Sequence, residues 1–135
     1  MPNEPRKLVL VEPIRVRFQI SDPWDLGESL SWKPLVGDLI DVVQQNGREH
    51  GLLRSDAPFG PSGEERRHFI TGPRHEGKGF ADLLAGTKIP ASCLAITDAQ
   101  VTATWWTAEQ AWRGRGLAMI GSLTRVAPGA SDSAS

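Results

Sequence analysis

A glycine-rich segment with interspersed cations is the pattern in this chain that comes nearest to a chemical site. Residues 72–79 read GPRHEGKG, which matches the spacing of the phosphate-binding G-x-x-x-x-G-K loop. In such a loop a serine or threonine follows the lysine and binds Mg²⁺, but Gly79 stands there and has no oxygen to offer. The preceding segment carries Arg66, Arg67 and His68, whereas a strand that leads into a nucleotide loop is almost wholly apolar. We therefore interpret residues 72–79 as a glycine-rich connector.

Cations are nevertheless dense around this connector, and backbone N–H groups at the start of a helix predicted over residues 80–85 would favour an anion nearby. Glutamates and an aspartate lie among the cations and can pair with them, so a mixed-charge surface is the favoured interpretation. A phosphate or nucleic-acid site is kept as the alternative. Its residues, which we call the basic segment, lie within thirteen positions: Arg66, Arg67, Arg74, His75 and Lys78.

Tryptophan is the second unusual feature, since the chain has five tryptophans, four phenylalanines and no tyrosine. A buried indole needs an acceptor for its N–H, so several in a small chain indicate either an aromatic core or an exposed contact surface. Trp105 and Trp106 lie on a strand predicted over 100–106, which would send them to opposite faces. In the purely structural interpretation, a turn over residues 107–112 shields the tryptophan that the core does not cover. Because Trp and Arg are enriched in binding hot spots, the alternative is a partner-binding surface made of Trp105, Trp106, Trp112, Arg113 and Arg115.

Catalytic constellations are hard to assemble from this sequence, and no catalytic residue is assigned. His50, His68 and His75 have no close metal-ligand spacing with one another or with Cys93, so no metal site is predicted. Cys93 lies in an apolar strand, where burial would raise the thiol pKa, and we interpret it as a core residue. No cofactor is predicted, and an enzyme is less favoured than a binding protein. Four aspartates are close enough in sequence to form two carboxylate pairs, Asp22 with Asp25 and Asp38 with Asp41, and we interpret all four as structural.

Length and composition indicate a folded protein with one core. The chain has 135 residues, with 39% hydrophobic and 23% charged residues, which is typical of a soluble globular domain. We expect one domain over residues 1–126 and a disordered tail over 127–135. A net charge of −1 disfavours binding to nucleic acid by bulk charge. The apolar run at residues 8–11 is too short for a membrane span or signal peptide, so a cytoplasmic location without membrane contact is expected.

Short elements with turn signals between them predict the fold class. Strict alternation over residues 14–20 predicts a half-buried strand with its even positions in the core. Asn46-Gly47 predicts a tight hairpin, and Gly86 is placed to end the helix over 80–85 in a left-handed conformation. Asp22-Pro23 indicates a short turn or helix over 23–30. Further strands are predicted over residues 35–43, 49–55, 66–71, 91–97, 100–106 and 117–126.

No helix is long enough to carry the chain between parallel strands, so we expect antiparallel pairing. The predicted fold is mainly β: a small antiparallel β-barrel or sandwich of about six to seven short strands with one short helix. The favoured function is a non-enzymatic binding module, of adaptor, inhibitor or immunity type, that recognises a protein partner. The alternative is a small barrel that binds nucleic acid or phosphate through the basic segment.

Overall fold

The computed structural model describes residues 6–8, 13–22, 34–45, 48–60, 65–74, 78–107 and 118–127. Among these residues, no helix has the length and apolar character needed to cross a bilayer. The described elements are seven strands, one short α-helix and two 3-10 turns, of which the second covers residues 105–107. In chain order the others are β1 (Arg6–Leu8), β2 (Ile14–Asp22), β3 (Leu35–Gln45), β4 (Arg48–Phe59), β5 (Arg66–Pro73), α1 (Phe80–Leu84), β6 (Ile89–Ile96), the first 3-10 turn (Asp98–Gln100) and β7 (Ala118–Arg125).

The sheet closes on itself as a six-stranded antiparallel barrel. Each strand from β2 to β7 pairs with the next strand in the sequence, and β7 pairs back with β2. The short strand β1 lies beside the second half of β3, with Arg6 opposite Gln44 and Leu8 opposite Val42. The prediction of a small antiparallel β fold is therefore confirmed, with a barrel rather than a sandwich as its form.

The barrel interior is filled by side chains that alternate along the strands. Strand β2 places Ile14, Val16, Phe18 and Ile20 inside, which are the even positions that the alternation predicts. A six-stranded barrel has a narrow interior that side chains fill, and each fully buried Phe or Leu contributes about 1.5–3 kcal/mol to stability. The other fully buried large side chains of this core include Leu39, Leu53, Phe69, Ile89, Met119 and Leu123.

The helix α1 completes this core from outside the sheet. Phe80 is 1% exposed and Leu83 is fully buried, and both pack with the interior cluster. Space for the Phe80 ring comes from Gly51, because a Cβ at this position would lie only 2.8 Å from the ring. The helix ends at Leu84, and Gly86 just after it has a left-handed φ of 96°, as the sequence predicts. The short helix is thus held by its two apolar side chains.

The hairpin and most of the predicted strands are confirmed. Gln45 of β3 pairs with Arg48 of β4, which leaves two residues between the strands, as Asn46-Gly47 predicts. The short helix or turn predicted over 23–30 lies outside the described residues. The same holds for the turn over 107–112 and the tail over 127–135, except for their first residues.

The strand predicted over residues 100–106 is wrong. This segment leaves the sheet through the 3-10 turn, where the side chain of Gln100 accepts a hydrogen bond from the Thr97 backbone N–H at 2.8 Å. Further along, the hydroxyl of Thr102 accepts one from the Thr104 N–H at 3.2 Å. Such local side-chain hydrogen bonds offer the backbone an alternative to strand pairing. They keep this segment out of the sheet, although its apolar residues suggested a strand.

Close packing between β7 and β2 gives a direct test of the barrel. A Cβ at Gly121 would overlap the carbonyl oxygen of Gln19 on the neighbouring strand, so Gly121→Ala must push the two strands apart. We expect this substitution to lower the free energy of unfolding by about 1–3 kcal/mol, measured by urea denaturation. Ser122→Ala, at the next position on β7, is the control and should change the midpoint little. Equal midpoints for the two variants would contradict the closure of the sheet at this point.

Candidate functional site

Apolar side chains also lie on the outer face of the barrel, in a second group that we call the outer cluster. Trp105 and Trp106 cover this face and are 2% and 7% exposed. The expectation that adjacent tryptophans point to opposite faces is therefore wrong: neither lies on a strand, and both pack against the sheet from outside. The outer cluster consists of Val43, Leu52, Ile70, Ile96, Trp105 and Trp106.

The carboxylate of Asp41 ties Trp105 to the sheet, and Trp106 packs on Trp105. The two rings pack edge to face, with centroids 5.8 Å apart and an interplanar angle of 86°. The Nε1–H of Trp105 donates to Oδ2 of Asp41 at 2.7 Å, and Oδ1 of the same carboxylate accepts the Val42 N–H at 3.0 Å. Asp41 has the structural role that the sequence suggested, and its partner lies 64 residues away.

A bulge in strand β3 separates the inward side chain of Leu39 from the outward side chain of Asp41. Leu39 pairs with Leu53, whereas Asp41 pairs with Leu52, so Ile40 is an extra residue on the β3 side. A bulge of this kind reverses which side chains face the core on either side of it. Leu39 therefore stays inside the barrel while Asp41 lies on the outside, below the indole of Trp105.

Charged side chains form a row across four neighbouring strands on the same outer surface. Directly paired residues place Arg15 of β2 beside Asp38 of β3, Asp38 beside Arg54 of β4, and Arg54 beside His68 of β5. We call these four residues the cross-strand row. Paired residues of antiparallel strands share a face. The barrel therefore holds the row in a fixed order, with one aspartate between two arginines and a histidine at the end.

Arg15 is the most tightly held member of the cross-strand row. Its Nη1 lies 2.6 Å from Oδ1 of Asp56, its Nη2 bonds the other oxygen of that carboxylate, and Nη1 is also 3.3 Å from Oδ1 of Asp38. The hydrogen bonds that its guanidinium donates to Asp56 are the main cause that raises the pKa of Arg15 above its ordinary value. Both carboxylates of this part of the surface are thus engaged by one guanidinium.

The other end of the cross-strand row is less completely paired. Arg54 is 52% exposed, and its Nη2 comes no closer than 3.9 Å to Oδ2 of Asp38. Nδ1 of His68 is buried and has no hydrogen-bond partner in the described part of the chain. The nearest carboxylate oxygen recorded for it, Oδ1 of Asp98, is 3.7 Å away, beyond hydrogen-bond distance. Arg54 therefore keeps donors that a binding partner can use.

The structure separates the basic segment into two parts. Arg66 and Arg67 begin β5, and Arg74 follows its last residue, so strand rise puts about 26 Å between the two ends. Lys78 follows further along the chain, and His75 lies outside the described residues. Among the described cations of this segment, Arg66 and Arg67 therefore do not lie in one patch with Arg74. Arg66 and Arg67 instead lie near Arg54, which the sequence did not single out, because only the β4–β5 pairing brings it there.

The helix start that was expected to attract an anion is already occupied by carboxylates of the chain itself. Oε1 of Glu49 accepts the Phe80 N–H at 3.1 Å, and Oδ2 of Asp82 accepts the Gly79 N–H at 2.8 Å. With these two N–H groups bonded, the start of α1 offers little to an external phosphate. The alternative of an anion held near this helix start, which the sequence left second to a mixed-charge surface, stays a prediction that these two hydrogen bonds make less favourable.

The remaining predicted site residues are placed as follows. Of the predicted partner-binding surface, Trp105 and Trp106 are buried in the outer cluster, while Trp112, Arg113 and Arg115 lie outside the described residues and stay a prediction. Within the described ranges, no three His, Cys, Asp or Glu side chains come together as metal ligands would.

Comparisons with protein-family models, with curated proteins and with solved structures found no significant match to this chain. Inference about its function therefore starts from the geometry of its own side chains.

The Asp41–Trp105 contact predicts a measurable coupling energy. Asp41→Ala leaves the buried indole N–H of Trp105 without this acceptor, which should cost about 1–3 kcal/mol in the free energy of unfolding. In a Trp105→Phe background the same substitution should cost less, because no indole N–H remains to be satisfied. Urea denaturation of the four proteins of this double-mutant cycle measures the difference. Strictly additive costs would contradict the hydrogen bond.

Cys93 predicts an alkaline loss of stability. Burial raises the pKa of its thiol from 9.0 to about 12, opposed by a hydrogen bond with Thr71. The folded state then keeps a proton that the unfolded state loses, so the free energy of unfolding falls as pH rises above 9.0. This group alone should remove about 1 kcal/mol between pH 9 and pH 10. Cys93→Ala should lack that part of the decline in urea titrations at each pH, and parallel curves would contradict the assignment.

Proposed function

We propose that this chain is a non-enzymatic binding module, of adaptor, inhibitor or immunity type, that recognises a protein partner through charged and aromatic side chains on the outside of the barrel. We also propose a cytoplasmic location, where a lone thiol such as Cys93 stays reduced. The cross-strand row is the observation that carries the binding proposal. It presents charged groups on paired strands rather than on loops.

Rigid placement matters because binding must overcome the entropy of ordering side chains. A long charged side chain that is already held loses less freedom when a partner arrives. Arg15 is held by two carboxylates and is 13% exposed, and it fixes Asp38 next to Arg54. The exposed guanidinium of Arg54 is therefore presented beside a preordered neighbour, which suits the arginine-rich hot spots of protein interfaces.

The packed interior also supports an external site. The large side chains inside the barrel come from facing strands and from α1, as in small barrels whose interior serves as a core. In the described residues, polar groups that can form specific contacts with a partner lie on the outer surface. The cross-strand row is one such set of groups.

The Trp/Arg surface predicted from the sequence is part of this proposal. Trp105 and Trp106 anchor the chain to the outer cluster, and Trp112, Arg113 and Arg115 follow shortly after in the sequence. A chain that is held a few residues before a contact residue loses less freedom when that residue binds. We propose that Trp112, Arg113 and Arg115 contact the partner, shortly after the two buried tryptophans in the sequence.

Nucleic-acid binding is less well supported by the geometry. The basic segment is divided between the two ends of β5, and Asp38 and Asp56 lie among the cations near Arg54. A single strand needs cations along its backbone and exposed aromatic rings for its bases, and the two described tryptophans are buried.

Affinity capture from an extract of the native host tests the proposed function. The immobilised wild-type protein should retain one protein in stoichiometric amount, and Arg54→Ala should retain it at least about tenfold more weakly. Arg113→Ala/Arg115→Ala tests the Trp/Arg surface in the same way. Lys88→Ala, at an exposed position between α1 and β6, is the control and should bind like the wild type. Enrichment of nucleic acid, seen in the absorbance ratio, or of no protein above the bare resin, would contradict the proposal.

A further inference from the structure

Three arginines lie together where strands β4 and β5 pair, and we call them the arginine group: Arg54, Arg66 and Arg67. Arg54 pairs directly with His68, and Arg66 lies two residues from His68 on the same face of β5. This spacing is about 7 Å along the strand. Arg67, the residue between Arg66 and His68, alternates to the other side of β5, and its Nη1 donates to the backbone oxygen of Asp56 on β4 at 2.9 Å. The strand pairing thus brings Arg54 and Arg66, twelve residues apart in the sequence, to one face, with the exposed Arg67 next to them along the strand.

The positive charge of the arginine group is not cancelled by the contacts that hold it. Arg66 donates to the backbone oxygen of Glu65 at 3.0 Å, and Arg67 also donates to a backbone oxygen. Carbonyl oxygens carry no formal charge, and each guanidinium has five N–H donors, of which one is used in each case. Arg54 lies 3.9 Å from a carboxylate of Asp38 that Arg15 also contacts. Among the described contacts, the group therefore keeps both its charge and most of its donors.

We propose that the arginine group docks an acidic segment of a partner protein, whose carboxylates take the free guanidinium donors. This rests on the proposed function and names the chemistry of the partner. Arginine binds carboxylates through two parallel hydrogen bonds, and complementary charge speeds association and selects among partners.

A protein segment fits this surface better than a nucleic acid does. Asp38 and Asp56 lie between Arg15 and the arginine group, where a continuous phosphate backbone would be repelled. The nearby ring of Phe59 packs edge to face on Phe69, with centroids 6.4 Å apart, and it is half-buried. Base stacking would need an open ring face, whereas carboxylates spaced along a peptide can meet the arginines and avoid the two aspartates.

Fluorescence anisotropy with two labelled probes of similar charge tests the proposal on the full chain. One probe is a twenty-residue peptide of alternating glutamate and serine, which carries ten spaced carboxylates, and the other is a ten-nucleotide oligothymidylate. We expect the peptide to bind at about 50 mM salt and to weaken by about tenfold at about 300 mM. The variant Arg54→Glu/Arg66→Glu/Arg67→Glu should bind it at least about tenfold more weakly. Lys88→Glu carries the same kind of charge change at an exposed site and should stay within about twofold of the wild type.

Folding of the variants is checked by circular dichroism and urea denaturation, and Arg54→Gln/Arg66→Gln/Arg67→Gln replaces the charge reversal if that protein is unfolded. Tighter binding of the oligothymidylate than of the peptide would overturn the proposal in favour of nucleic acid. No peptide binding, or equal loss in the Lys88→Glu control, would also overturn it. If the capture experiment still retains a protein in these cases, the proposed function stands and only the acidic partner is excluded.

Discussion

Closure of the sheet between β7 and β2 is the constraint on which the rest of the structure depends. Once the sheet is closed, successive strand residues alternate between a narrow interior and the outer surface. The interior takes side chains such as Phe18, Phe69 and Leu123 and packs them together with Phe80 of α1. Polar and charged side chains of the strands are left to the outside, where strand pairing rather than the local sequence decides their neighbours. The possible binding surfaces of the described barrel follow from that division.

One irregularity in β3 decides which charged residues face outward. The two-residue hairpin pairs Gln45 with Arg48, and without a bulge this register would continue to the start of the strand. Asp38 would then pair with Ser55, whose side chain is buried, and Leu39 would face solvent. The extra residue, Ile40, shifts the pairing by one, so Leu39 enters the core and Asp38 meets Arg54. Asp41 lies on the hairpin side of this shift, where its pairing with Leu52 is the same with or without the bulge, and it binds Trp105 on the outer face. The cross-strand row, which needs Asp38 opposite Arg54, thus depends on one inserted residue.

The limits of prediction from the sequence follow from the same physics. Alternation over residues 14–20, the Asn46-Gly47 hairpin and the helix at Phe80 are local patterns, and each was predicted within a few residues of its observed position. The bulge at Ile40 is hidden in a dense apolar run in which inward and outward residues look alike. The segment before Trp105 has the apolar character of a strand, but side-chain hydrogen bonds take it out of the sheet. Proximity of Arg54 to Arg66 requires the β4–β5 register, which no local pattern specifies.

The ion pairs of Arg15 with Asp38 and Asp56 matter more for the charge of the outer surface than for the stability of the fold. Partly exposed ion pairs contribute at most about 1 kcal/mol each, which is small beside the burial of the Phe18 or Phe69 ring in the core. By engaging both oxygens of Asp56 and Oδ1 of Asp38, however, Arg15 offsets one of the two negative charges beside Arg54, which itself lies 3.9 Å from Oδ2 of Asp38. One partly buried cation thereby leaves more of the charge of the exposed arginines available. The positive charge that remains faces outward from paired strands, where an incoming carboxylate meets guanidinium donors that the described contacts do not use.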